Sequence, residues 1–403
     1  MRFEFWDGSS LGPPAGAATG TLIVRSPDAI RRIIWCPNEL GFGRAYVAGE
    51  LDAEGDVVAM IEALRDATHG DLHLNPRGLT AAIGSARRLG LGRRPPAPPP
   101  EEARIHGWLH SMRRDANAIS HHYDVGNDFY RIVLGPSMTY SCARFIEPDA
   151  DLETAQQAKH ELICRKLGLH ERRGARLLDV GCGWGSMAIH AAAHHGASVV
   201  GITLSRPQAE LARERITAAG VADLVEIRVQ DYRMLRGERF DAVSSIGMAE
   251  HVGAKNVDRY FEILRGTLAP HGRLLNHAIS SVGGSRIGRR SFIGRYVFPD
   301  GELLDVAETI RAMERAGFEV RDVESLREHY ASTLSAWVAN LETNWDEAVR
   351  LAGTGRARVW RLYMAASAVG FTDGGVSIHQ VLGVVPSPAG STAMPATRRA
   401  WDA

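Results

Sequence analysis

The chain has 403 residues, of which 47 are Lys or Arg, 47 are Asp or Glu, and 45% are hydrophobic. That length exceeds one ordinary core and predicts a large domain with a smaller partner, while the balanced composition excludes a disordered or collagen-like chain and gives no footing for a nucleic-acid partner. No run approaches the roughly 20 apolar residues of a membrane span and the start MRFEFWDGSS lacks a signal-peptide pattern, so the cytoplasm is the expected compartment.

From the amino terminus, residues 20–25 read as a strand, 38–43 as a Gly-rich turn and 57–67 as a helix, which predicts a small α+β domain over 1–90. The run RRPPAPPP at 93–100 cannot form helix or central strand, because proline lacks the amide donor, and it places a linker at 91–104. Arg77, Arg87, Arg88, Arg93, Arg94, Arg104, Arg113 and Arg114 crowd this region, opposed mainly by Glu101, Glu102 and Asp115. The local field is positive, which suits anionic phospholipid headgroups as well as an ordinary solvated surface. Further on, RLLDV (176–180), SVVGI (198–202), VEIRV (225–229), FDAVSSI (240–246) and RLLNHAI (273–279) are short apolar runs separated by helical stretches. Buried parallel strands have this pattern, so residues 105–385 are expected to form a doubly wound α/β sheet. Residues 386–403 read as a loose tail.

RLLDV runs into Gly181, Cys182, Gly183, Trp184 and Gly185 and then a helical stretch, a turn in which glycines let the backbone approach a ligand. The GxGxG spacing lacks the last glycine of a dinucleotide site. The second strand ends in ITLSRPQ (202–208), without the acidic residue a dehydrogenase uses for ribose, and the third ends before Asp231, which can accept from an adenine amino group. Together these features resemble the class I S-adenosylmethionine methyltransferases. That likeness implies a cofactor site of Tyr140, Asp179, Gly181, Gly183, Gly185, Thr203, Gln208, Asp231 and Tyr232. Read singly, Asp179 is also a plausible cap for the following turn.

The segments HYDVGNDFY (122–130), MTYSC (138–142), LDVGCGWG (178–185), GMAEHVG (247–253), LNHAI (275–279), FIGRYVFP (292–299) and HYASTL (329–334) stand in the order and spacing of the cyclopropane-fatty-acyl-phospholipid and mycolic acid cyclopropane synthases. The stretch LGFGRAYVAG (40–49) resembles the amino-terminal domain of the bacterial phospholipid enzymes. The resemblance implies that a bicarbonate ion acts as base beside the cofactor methyl, held by Glu250, His277, Tyr330 and the backbone of Cys142 and Ile279. Singly, Glu250 reads as a helix cap and His277 as a core histidine; as an ordered set they form an anion site. The cysteines Cys36, Cys142, Cys164 and Cys182 lack CxxC spacing, so disulfides and a structural metal are not expected, and Cys142 reads as an inert thiol. The aromatic residues of 129–130 and 292–298 suit either an acyl tunnel or core.

The resemblance therefore implies alkylation of the double bond of an unsaturated phospholipid acyl chain by an enzyme peripheral to the inner membrane face. The chain departs from the phospholipid synthases at Glu50, Leu51 and Asp52 and at Asp300, Gly301 and Glu302. A related branch makes a 10-methylene chain for a flavin-dependent reductase, so cyclopropane and methylene products both stand. The alternatives are a methyltransferase acting on a soluble small molecule and a non-catalytic lipid or cofactor binder. The sequence leaves a homodimer open.

Overall fold

A computed structural model describes residues 1–69, 93–103, 125–284, 288, 290–299 and 301–401. The arginines at 77, 87, 88, 104, 113 and 114, with Asp115 and Asp300, lie outside them; Arg93 and Arg94 are exposed. The chain forms two compact units.

The first comprises Met1–Arg104, Gly288–Pro299 and Trp337–Val369. Its sheet has the order β2-β1-β3-β4, from β1 (Arg2–Phe5), β2 (Ser10–Leu11), β3 (Gly20–Val24) and β4 (Leu51–Gly55). The turn expected at 38–43 is instead the start of a helix, Glu39–Val47. Asn38 caps it, its side chain accepting from the amides of Leu40 and Gly41. The two glycines that suggested a turn serve close packing: a Cβ on Gly41 would strike the Cys36 carbonyl, and one on Gly43 the Phe292 ring. Segments distant in sequence complete this unit. The Arg358 guanidinium donates to the carbonyls of Tyr46 (3.0 Å) and Leu51 (2.9 Å) and to Asp52 (3.0 Å), and Arg361 donates to the Tyr46 hydroxyl (3.0 Å). Residues 288–299 and 337–369, assigned from sequence to the larger domain, therefore cluster with the amino-terminal strands. The proline segment is held as well, with the carbonyls of Pro96 and Ala97 accepting from Arg32.

The second unit comprises Ile105–Ile287, Asp300–Ala336 and Gly370–Ala403. Its strands are β5 (Arg176–Val180), β6 (Ser198–Thr203), β7 (Val225–Val229), β8 (Phe240–Ile246), β9 (Leu268–Ser281), β10 (Leu304–Asp305), β11 (Glu319–Ser325) and β12 (Val376–Val384). The sheet order is β11-β12-β9-β8-β5-β6-β7, with β10 beside β9. Strands β5 to β9 pair in parallel, and β12 lies antiparallel between β9 and β11. Apolar clusters cover both faces: helices Leu152–Lys166, Ser186–His195 and Arg206–Ala218 supply one, and Val257–Thr267 and Val306–Arg315 the other. This is the expected doubly wound α/β fold. Because β5 is flanked by β6 and β8, the strand order reverses there and a crevice is expected at the carboxyl ends of these strands. The carboxyl-terminal segment is not loose: Trp401 is buried within the first of these clusters, which Met394 also joins. No helix among the described residues is long and apolar enough to cross a membrane.

Candidate active site

At the end of β5 the amides of Gly181 and Cys182 both donate to the Ile202 carbonyl, at 2.9 and 3.0 Å, and the Gly185 amide donates to Cys182 at 2.8 Å. Gly181, Gly183 and Gly185 have φ of 76°, 53° and 81°, a region where a side chain is strained. A Cβ on Gly181 would lie 2.5 Å from the Met248 sulfur, whereas one on Gly183 would meet nothing within 4 Å, so the backbone there borders open space. Directly before the loop, Asp179 is buried; its Oδ1 accepts from the Ser244 hydroxyl at 2.7 Å and its Oδ2 has no hydrogen-bond partner among the described residues. Burial raises its pKa to about 6. The unmatched acceptor suits a cationic group better than a structural cap does.

Of the other residues expected to hold the cofactor, Thr203 and Gln208 stand at or just after the end of β6 and Asp231 and Tyr232 just after β7. The Thr203 hydroxyl donates to Gln208 Oε1 at 3.0 Å. Asp231 is engaged by its own neighbour, accepting from the Arg233 amide (2.8 Å) and guanidinium (2.7 Å), so an adenine amino group would share that carboxylate. Tyr232 meets Tyr260 edge-on at 4.8 Å. Tyr140 packs edge-on against Tyr130, which with Phe129 is fully buried and lies 4.8 Å from Trp184. Phe129 and Tyr130 thus fill the interior of this unit; Phe292 and Tyr296 stack together in the interior of the other.

Of the residues expected to hold an anion, His277 and Ile279 lie on β9 and Glu250 lies against it. The Ile279 amide donates to Glu250 Oε1 at 2.7 Å, while Glu250 Oε2 is buried without a hydrogen-bond partner among the described residues. Burial raises the pKa of this carboxyl to about 7. Two residues before Ile279, His277 Nδ1 accepts from Gln380 Nε2 at 3.1 Å, which leaves the ring proton on Nε2. That nitrogen is likewise buried without a partner, and burial holds the imidazole neutral, its pKa well below the usual histidine range.

Cys142 lies in a loop strung between two helices. On one side the Ala143 amide donates to Thr333 Oγ1 (3.0 Å) and the Phe145 amide to His329 Nδ1 (3.2 Å), both on the helix Arg327–Thr343 that also carries Tyr330. Tyr330 is buried against Phe371, not turned to solvent. On the other side, Gln156 and Lys159 of the helix Leu152–Lys166 hold the carbonyl (2.9 Å) and hydroxyl (3.0 Å) of Ser141. The Cys142 thiol is fully buried and lies 3.1 Å from the Ala143 carbonyl; burial raises its pKa, so it stays protonated and unreactive. Sequence reading missed Lys159, Gln380, Ser244 and Thr333. Each is an ordinary helix or strand residue in its local context, and no spacing marks it.

Residues 110–381 match the family model described as mycolic acid cyclopropane synthetase. The chain is 42% identical to a probable fatty acid methyltransferase of Mycobacterium tuberculosis, over 98% of this chain and 93% of that one. It is 32% identical to the cyclopropane-fatty-acyl-phospholipid synthase of Escherichia coli, over 91% and 88%. Among solved structures it resembles the mycolic acid cyclopropane synthase CmaA1 complexed with SAH and CTAB, with a TM-score of 0.63, 31% identity, and coverage of 67% of this chain and 98% of that one. A switch-point glycine loop with an unmatched acidic acceptor and a separate buried polar centre thus belong to a chain matched by this family along most of its length: the protein is a member of the cyclopropane synthase family of S-adenosylmethionine-dependent fatty acyl methyltransferases.

Proposed function

We propose that the enzyme transfers the methyl of S-adenosylmethionine to the cis double bond of an unsaturated phospholipid acyl chain, with bicarbonate as base, giving a cyclopropane or a 10-methylene chain. The observation that carries this reading is the pair of buried, unmatched atoms Glu250 Oε2 and His277 Nε2. One is an acceptor and the other a donor, and bicarbonate offers a hydroxyl to the first and an oxyanion to the second.

The cofactor supplies an electrophilic methyl group. The glycine loop and Asp179, with Thr203, Gln208, Asp231, Tyr232 and Tyr140, would hold and orient that group, and the unmatched Asp179 oxygen would be available to its cationic methionine part. An isolated alkene is a poor nucleophile, so the surrounding residues must hold it in line and keep water out. Methyl transfer leaves a cation on the acyl chain, and a proton must then depart. Glu250, His277, Tyr330 and the backbone of Cys142 and Ile279 hold the base that removes it. Loss of a proton from the new methyl closes a ring; a 1,2-hydride shift that moves the cation to the methyl-bearing carbon, followed by loss of a proton from that same methyl, leaves an exocyclic methylene of equal mass, a substrate for a flavin-dependent reductase. A peripheral position at the membrane face follows from such a substrate.

Purified protein incubated with S-adenosylmethionine and oleoyl phospholipid vesicles should add one methylene mass to the lipid. Lipid of unchanged mass, with methylation of a soluble acceptor instead, would overturn the reading. Proton NMR of the released fatty acid then separates upfield ring signals from vinyl signals and assigns the product.

A further inference from the structure

Two lysines of the helix Leu152–Lys166, seven residues apart, are both 0% exposed. Lys166 is matched by charge, with Asp322 at 2.9 Å and Glu324 at 2.5 Å. Among the described residues no carboxylate forms an ion pair with Lys159, and Asp179 acts on it only without direct contact; its ammonium meets the Ser141 hydroxyl and His160 Nε2, each at 3.0 Å, and both partners are neutral. A buried ammonium without a directly paired carboxylate is costly, and it is retained where something supplies that pairing. We infer that Lys159 is the counter-charge of the anion centre, a positioning residue that retains a small oxyanion beside Cys142 and His277.

This assignment rests on the bicarbonate reading above and is supported by the surroundings of the ammonium. The groups its charge acts upon include Cys142, Asp179 and His277, two of them in the anion centre and the third at the cofactor loop. The cofactor brings two cationic groups against one carboxylate, so it adds positive charge and cannot be the missing anion. A hydrogen-bond pin for the loop already exists in Gln156, which holds the Ser141 carbonyl; a neutral donor would serve there, and the charge is what needs an explanation. Burial pulls the Lys159 pKa down to about 7, as expected of an ammonium whose partner must arrive with a ligand.

The test is Lys159→Gln in the full chain, which keeps a donor for Ser141 and removes the charge. Methyl transfer to oleoyl phospholipid is followed in carbon dioxide-depleted buffer as bicarbonate is added back. The half-saturating bicarbonate concentration should rise at least about tenfold, while turnover at saturating bicarbonate and the affinity for S-adenosylmethionine change less than about threefold. Ser141→Ala keeps the ammonium and should leave bicarbonate half-saturation near that of the wild type. An unchanged half-saturation in Lys159→Gln, with turnover or melting temperature lowered, makes Lys159 a loop pin and overturns the inference. Ser141→Ala reproducing the bicarbonate defect does the same, and remains decisive if the lysine variant does not fold. Wild-type turnover indifferent to bicarbonate defeats the underlying base reading, an outcome distinct from both.

Discussion

The glycine loop after β5 and the polar centre beside β9 belong to the same unit, yet they satisfy their polar groups in opposite ways. In the loop, the amides of Gly181, Cys182 and Gly185 are bonded to nearby carbonyls and three positive φ angles set the path. In the centre, Glu250 Oε2, His277 Nε2 and Gln380 Oε1 are buried without partners among the described residues, and Lys159 has no carboxylate paired with it there. Such groups are expensive to leave unmatched. The loop is thus stable in its own right and grips through shape, whereas the centre is held together by the surrounding fold and completed by what it binds. Mutations in the two places should separate accordingly.

The largest effect is expected at the centre. Glu250→Gln should lower turnover on lipid vesicles by about 1,000-fold, because the base is no longer organised, while calorimetry shows S-adenosylmethionine affinity within about threefold of wild type. Parallel loss of both would place Glu250 in the cofactor pocket and dissolve the contrast. The same variant sharpens it through stability. Folded Glu250 titrates near 7 against an ordinary value of 4.5, so between these pH values the folded state holds a proton the unfolded state has released. The contribution of this group to stability therefore falls as pH rises through that window. Ligand-free Glu250→Gln, which cannot ionise there, should gain on wild type by on the order of 3 kcal/mol between pH 4.5 and pH 8 in denaturant titrations. A difference independent of pH would mean that the carboxyl is not strained by burial.

At the loop, Gly181→Ala combines a positive φ with a Cβ 2.5 Å from the Met248 sulfur. Cofactor affinity should drop about tenfold, with a stability loss of about 1–3 kcal/mol, whereas the response to bicarbonate is retained. Wild-type affinity in this variant would show that the loop's shape is not what grips. Smallest, and distant in role from both places, is Gly43→Ala, whose Cβ would press on Phe292 in the other unit. It should cost about 1–2 kcal/mol in thermal unfolding and leave cofactor affinity unchanged; a shifted affinity would couple the two units.

Features set by neighbours in sequence were legible from the sequence. The strands at 176–180, 225–229 and 240–246 stand at the residues expected, because a buried parallel strand is an unbroken apolar run bounded by turns. The glycine loop was legible for the same reason, and the ordered motifs carried the family. Other features depended on what came to lie nearby. Gly41 and Gly43 read as turn formers, and only contact with Cys36 and Phe292 shows that they thin a helix. The polar run of β11 became a strand because β12 offered it an edge, and the small-residue terminus was tied down by burial of Trp401. Lys159 is the clearest case: in sequence it is one cation on a helix, like Lys166, and only the packing around each decides that one is paired with carboxylates and the other is not. Backbone conformation and apolar periodicity are local properties that a sequence states directly, whereas the cost of burying a charge is fixed by every segment that surrounds it, and that the tertiary structure alone decided.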